Sequence, residues 1–284
     1  MSYIGKTPTP APLTSSDITD GIITSAKIAN GGVETVDIAD ANVTAAKLAS
    51  GTVQNQSAFK NIIINGDMSI AQRSTSVTGI TGNGYNTVDR YSLEINSLGT
   101  WTQSQSTDVP TGQGFAKSLK MDNTTADASP GTSDYIFMSQ KFEGQNLQYL
   151  KKGTSSAESL TLSFWVKSNK TGTYVVEIRD ADNDRNICKS YTISSSNTWE
   201  KKELTFAGDT TGALGNDNGN SLNCTWWLAA GTDFTSGTLA TSWEARNNTD
   251  RAVGQVNLAD STSNDWYITG VQLEAGTTAS DFEF

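Results

Sequence analysis

Residues 16–53 repeat every ten positions, and that period excludes most regular architectures for the beginning of the chain. Ile18, Ile28, Ile38 and Leu48 share one register, while Ile23, Val33, Val43 and Val53 share the other. Each member of the first set follows a charge whose sign alternates: Asp17, Lys27, Asp37, Lys47. Two residues further on come the turn pairs Asp20-Gly21, Asn30-Gly31, Asp40-Ala41 and Ser50-Gly51. An apolar anchor every five positions advances about 500° on a helix, so successive anchors share no face. On a straight strand the odd step sends them to opposite faces. A chain that bends once per repeat, at pairs that tolerate positive φ, does fit. So few apolar side chains cannot bury themselves, and the economical arrangement winds several identical chains about one axis. We therefore expect an intertwined, trimeric, extended stalk over residues 13–57; the competing reading is a weakly apolar linker without fixed structure.

The remainder has a different texture. Hydrophobic residues make up 36% of the sequence and charged residues 18%, with 25 glycines, which is low in both for an α/β enzyme and suits a turn-rich all-β protein. The formal net charge of −10 argues against nucleic acid and anionic membrane surfaces as partners. Cys188 and Cys224 stand far apart in no metal-like spacing and are expected as free thiols. Histidine is absent, which removes Ser-His-Asp and Cys-His nucleophiles together with most zinc sites. The opening MSYIGKTPTPAP has no apolar stretch of signal-peptide length and no later segment is long enough to span a bilayer, so a protein made in the cytoplasm and not inserted in membrane is expected.

Pro8, Pro10 and Pro12 stiffen residues 1–12 into an extended segment, suited to attachment at the far end of a stalk. From residue 58 to 284 apolar alternation and turn clusters predict about ten strands. They are NIIING (61–66), 84–95, 115–121, 135–142, 160–167, the hairpin TYVVEIRD-ADNDRN-ICKSYTI, WEKKELTF, CTWWLAA and WYITGVQLEA. In the fifth, Leu160, Leu162, Phe164 and Val166 mark one face, with Thr161, Ser163, Trp165 and Lys167 on the other. Such spacing predicts a β-sandwich of jelly-roll type. Helical character extends no further than a turn near Gln145–Lys151.

NIIINGDMSIAQRSTSVTG followed by YNTVDRYSL resembles the opening of jelly-roll modules in tail fibres of tailed bacteriophages: a strand, an Asn-Gly turn, a Gln-Arg pair with Ser or Thr, then Asp-Arg-aromatic. Trp226-Trp227, Val256–Leu258 and the closing ITGVQLEAGTTASDFEF are similar to that family's later strands, and the middle resembles carbohydrate-binding jelly rolls more broadly. MSYIGKTP and the Asp/Lys-Ile-Ala repeat look like N-terminal segments of marine phage virion proteins. Ala71 stands where an aromatic is frequent and Ser74 where glycine is usual. The resemblance implies a homotrimeric virion fibre that docks on other virion proteins through its N-terminus and presents its jelly roll to a host cell-surface glycan. A structural head or tail fibre or decoration protein, whose jelly roll serves assembly or trimerisation, is the alternative.

Glycan recognition needs aromatic faces for stacking and amides or carboxylates for the hydroxyls. Trp101 and Trp243 lie in polar, loop-like surroundings, and Trp165 lies opposite an apolar stripe. Trp226 and Trp227 should face opposite ways, with Trp227 assigned to the exposed side. Trp101, Trp165, Trp227 and Trp243 are thus the candidate platforms, each weighed against ordinary packing, while Trp199 and Trp266 read as core or rim. Asp180, Asp182 and Asp184 alternate as at the start of a calcium loop, but Arg185 replaces the required glycine and Tyr191 the closing acid. A solvated hairpin turn is favoured there, and structural calcium is the one cofactor considered. A two-carboxylate glycosidase needs no histidine, yet no acid pair is singled out, and a non-enzyme is expected.

Overall fold

The computed structural model of the protein describes residues 60–284; the expected attachment segment and stalk, with every apolar anchor named above, lie outside the described residues. The described residues form twelve strands: β1 (Ser76–Ile80), β2 (Ser92–Asn96), β3 (Thr100–Ser106), β4 (Ser118–Thr125), β5 (Tyr135–Glu143), β6 (Leu160–Ser168), β7 (Gly172–Asp180), β8 (Arg185–Ile193), β9 (Glu200–Phe206), β10 (Asn220–Ala230), β11 (Glu244–Ala245) and β12 (Asp265–Ala275). Two six-stranded antiparallel sheets result, sheet A in the order β1-β3-β4-β12-β6-β9 and sheet B in the order β11-β8-β7-β10-β5-β2. The chain crosses repeatedly between the sheets, and β12 lands between β4 and β6 and β10 between β7 and β5. This is a jelly-roll β-sandwich, as the alternation predicts. The only α-helix among the described residues is the single turn α1 (Thr232–Thr235), and the helical character near Gln145–Lys151 is a pair of 3-10 turns. No helix among the described residues is long and apolar enough to cross a membrane.

The core forms because each strand's period of two turns one row inward. Leu160, Leu162, Phe164 and Val166 of β6 are buried against Tyr174, Val176 and Ile178 of β7 and Leu222, Cys224 and Trp226 of β10. The Trp226 ring sits 6.1 Å from Phe164 of the facing sheet and 6.3 Å from Tyr91, which leads into β2 of its own sheet. Both cysteines are free and buried.

Some expected strands differ. NIIING is not regular strand: Asn65 and Met68 both take positive φ near 60°, which breaks the ladder. It still lines β12, with Ile62 N donating to Leu273 O at 2.8 Å and Val271 N to Gly66 O at 2.9 Å. The Asn61 side chain accepts from Ile63 N and Leu273 N and donates to Val271 O. The Gln140 amide brackets Ile64, accepting from its N and donating to its O. Residues 61–66 take this place because β12 bulges between Thr269 and Gln272, and β4 pairs only with residues 265–268. Gly270 is required at the bulge: it has φ +61°, and a Cβ there would stand 2.5 Å from the Phe115 ring. In 84–95 only Ser92–Asn96 is strand, and β1 and β3 fall where the sequence reads as loop.

A buried charged network fixes the end of the β7–β8 hairpin. Asp180 accepts from Asp182 N and Asn183 N, both at 2.9 Å, closing the turn. Lys152 donates to Asp180, to Asp209 at 2.9 Å and to Gly212 O at 3.0 Å, with Trp243 4.6 Å away over its ammonium. Arg185 closes on Asp209 at 2.8 and 3.2 Å. Burial alone would raise the Asp209 pKa, but hydrogen bonds from Arg185 and Lys152 outweigh it and hold the group at about 2, against an ordinary 3.8. A depressed carboxylate contributes stability above its unfolded pKa and loses it as pH falls toward the folded value. Unfolding followed by circular dichroism should therefore show stability falling between pH 3.8 and about 2, with Asp209→Asn flattening that part of the profile; an unchanged slope would contradict the network's role.

Candidate functional site

The outer face of sheet B carries a graded surface set by register. Lys141, Asn223, Arg179, Asn186 and Glu244 stand directly opposite one another across β5, β10, β7, β8 and β11. One step along lie Ser139, Thr225, Glu177 and Cys188, and beyond them Phe137 and Trp227. The apolar end is roofed by residues 231–256, where Phe234, Ala240 and Ala252 close on Val175, Cys188 and Trp227. Trp227 packs 4.9 Å from Phe137 and 5.4 Å from Phe234, with the Arg251 guanidinium 5.0 Å from its centroid. Arg251 makes a bidentate pair with buried Glu177 at 2.9 and 3.0 Å, and Trp227 Nε1 donates to the same carboxylate at 3.3 Å.

Trp227 is therefore no exposed platform. It does face away from the inter-sheet core, but the 231–256 segment covers it completely. Trp101 is also a correction: it lies in β3, fully buried in the core, its Nε1 donating to Leu98 O at 2.8 Å. Trp165 and Trp243 are half-buried on different sheets, Trp165 in β6 of sheet A and Trp243 just before β11 of sheet B, with Trp243 Nε1 held by Ala207 O. Nothing brings the four rings together. Trp266 is core and Trp199 half-buried at the rim, as their strand positions suggest.

The three alternating aspartates also separate. Asp180 belongs to the hairpin turn and Lys152, Asp182 accepts from Gly215 N at 2.8 Å, and Asp184 binds Arg246 at 2.7 Å and Arg179 at 3.2 Å. The Arg246 hydrogen bond holds the Asp184 carboxyl below its usual range. Among the described residues no three carboxylate or thiol groups gather in a way that could hold a metal ion.

What the sequence reading missed is a cleft of about 500 Å³ at the open end of sheet B. Its floor comes from Lys141 and Glu143 of β5 and Asn220 of β10, and its wall from Gln72, Arg73, Tyr85, Asp89 and Arg90. Tyr85 is 41% exposed, one of five large apolar or aromatic side chains so presented among the described residues. The Arg73 guanidinium lies 5.6 Å from the Tyr85 ring centroid. Asp89 ties the wall together, accepting from Gln72 N at 3.2 Å and Arg73 Nη1 at 3.4 Å. Lys141 pairs with Glu94 at 3.2 Å, and Glu143 accepts from Gln145 and Asn146. The Gln-Arg and Asp-Arg pairs, separated in sequence, thus meet on one wall; their presence in the family-like motif was the signal that could have found them.

Arg90 is the unusual member. Its φ is +76°, a left-handed conformation costing a side-chain-bearing residue roughly 1–2 kcal/mol. The position is over-determined by its neighbours: Asp89 N donates to Ile70 O, and Asp89 O accepts from the Asn65 amide. Arg90 is exposed, and no hydrogen bond or ion pair to it occurs among the described residues. It also borders a second, smaller cleft of about 200 Å³ with Ile64, Asn146 and Tyr149.

No family model matches the sequence, and no curated relative matches it either. Solved structures that match include the enzymatically active domain of tailspike protein 4 of bacteriophage CBA120, at 14% identity and TM-score 0.39, covering 76% of this chain and 21% of that one. The match therefore spans about a fifth of that solved chain. A xylan-binding domain from Paenibacillus barcinonensis matches at 16% identity and TM-score 0.35, over 66% of this chain and 93% of the other. A family 11 carbohydrate-binding module from Clostridium thermocellum, in complex with a mixed-linked tetrasaccharide, matches at 12% identity and TM-score 0.33, over 72% and 99%.

The roof over Trp227 depends on the Glu177–Arg251 pair, since an unpaired buried guanidinium is costly. Glu177→Ala should lower unfolding stability by about 3–5 kcal/mol in denaturant titrations, and Glu177→Gln by less. Equal, small effects from both would contradict this reading.

Proposed function

We propose that this protein is a homotrimeric fibre of a tailed-phage virion, attached through residues 1–12, and that its jelly roll binds a host cell-surface glycan at the Tyr85 cleft. The observation that carries the proposal is one solvent-facing aromatic ring beside an open cleft lined by amide, guanidinium, ammonium and carboxylate groups. A pyranose ring stacks on such a face through its C–H bonds, while Gln72, Asn218 and Asn220 meet its hydroxyls. The role is binding without catalysis: the lining carboxylates are engaged, Asp89 with Gln72 and Arg73, Glu143 with Gln145 and Asn146. Three such sites on one stalk raise effective concentration, so weak single sites suffice for adsorption.

A second reading, in which the jelly roll serves assembly, is favoured by Ile64 and Tyr149. Both are nearly half exposed and border the cleft where the chain arrives at Asn61.

The full-length chain should elute as a trimer in light scattering and bind host cells. Tyr85→Ala should reduce that binding about fivefold or more, as loss of a stacking contact of about 1–3 kcal/mol implies, without changing the unfolding transition. A folded trimer that ignores host cells would sink the receptor role, and undiminished binding by Tyr85→Ala would move the site elsewhere.

A further inference from the structure

We infer that the Tyr85 cleft is selective for an acidic sugar, one bearing a carboxylate or a sulfate ester, and that Arg90 is the residue that selects it. The inference rests on the glycan-binding reading and names the chemistry of the ligand.

The pairing of the charged groups in the cleft supports it. Arg73, Arg90 and Lys141 line it against Asp89 and Glu143, in a chain whose net charge is −10. Arg73 is already matched by Asp89, and Lys141 by Glu94. Glu143 is held by the side-chain amides of Gln145 and Asn146. Glu143 keeps its charge, so the cations of the cleft are balanced by Asp89, Glu94 and Glu143; what singles out Arg90 is a guanidinium with no hydrogen bond or ion pair among the described residues, open to one anionic group per bound sugar. A guanidinium offers two parallel N–H donors that fit a carboxylate or sulfate oxygen pair, and a charged pair of this kind is stronger than a bond to a neutral hydroxyl.

The backbone adds a second reason. Asparagine or glycine would adopt the φ of +76° at this position more readily than arginine. The strained choice places the side chain on the ridge between the two clefts, lining both. Strain of this sort is retained where a side chain is used.

The test measures binding of the full-length protein to matched pairs: oligogalacturonate against its methyl ester, and a sulfated galactan oligosaccharide against its desulfated form. The acidic member of at least one pair should bind about tenfold or more tightly, with that preference shrinking as salt rises from about 0.05 to 0.5 M. Which pair shows it distinguishes a uronic acid from a sulfate ester. Arg90→Asn suits the backbone and removes the charge, so it should fold normally and abolish the preference. Equal binding within both pairs overturns the acidic preference while leaving glycan recognition standing. An Arg90→Asn protein that keeps the preference overturns the role of Arg90. Failure to bind any of the four sugars, together with failure to bind host cells, overturns both readings.

Discussion

β12 is the last strand of the chain, yet it lies in the interior of sheet A, bonded to β4 on one side and β6 on the other. Without it the sheet is two separate pieces. The segment that follows it folds back, and Ser280 is tied to Glu274 through both backbone and hydroxyl, with Glu283 N donating to Gln272 Oε1. The opening of the domain is fastened to the same strand by Asn61, more than two hundred residues earlier. Pairing over such separations must overcome loop-closure entropy before any contact rewards it, so this architecture belongs among slow-forming topologies. β10 plays the matching part in sheet B, between β7 and β5.

The cleft inherits that non-local character. Its residues come from 72–73, 85–90, 141–143 and 218–220, and only closure of the sandwich assembles them. Two of those stretches are loops that secure each other through Asp89 and the Asn65 amide, while the other two are strand ends in fixed register, Glu143 opposite Asn220. The cleft therefore combines a rigid floor with a wall braced by hydrogen bonds, the combination in which binding residues are usefully held.

Much of the sandwich was legible because alternation is strong where one face meets an apolar core. β6 and the β7–β8 hairpin show this, since Leu160 to Val166 and Tyr174 to Ile178 turn inward as expected. Elsewhere burial did not follow local polarity. β3 reads as loop because its second inward residue is Gln103, which is fully buried and satisfied by Thr87 and two methionine sulfurs, so local polarity hides the burial of Trp101 on the same face. Trp227 differs for another reason: alternation sets it opposite Trp226, but the covering segment has only scattered apolar residues, Phe234, Ala240 and Ala252, and leaves no periodic trace. Tyr85 is hidden in sequence because 84–95 reads as one strand, whereas the strand is confined to Ser92–Asn96 and Tyr85 lies in the loop before it. The Gln-Arg and Asp-Arg pairs were visible, but their meeting is a property of the fold.

On the proposed reading, the repeat and the cleft would act together through multivalency. A trimeric stalk would present three copies of a shallow, polar, solvent-open site, and such a site is better suited to repeated weak contact with a surface polymer than to tight capture of one molecule. The most direct test is a crystal structure of the full-length chain with an oligosaccharide that it binds in solution. A sugar ring should stack on Tyr85 with its substituents reaching Arg90 and Asn220. A sugar ordered instead over Trp165 or Trp243, with the Tyr85 cleft empty, would contradict it.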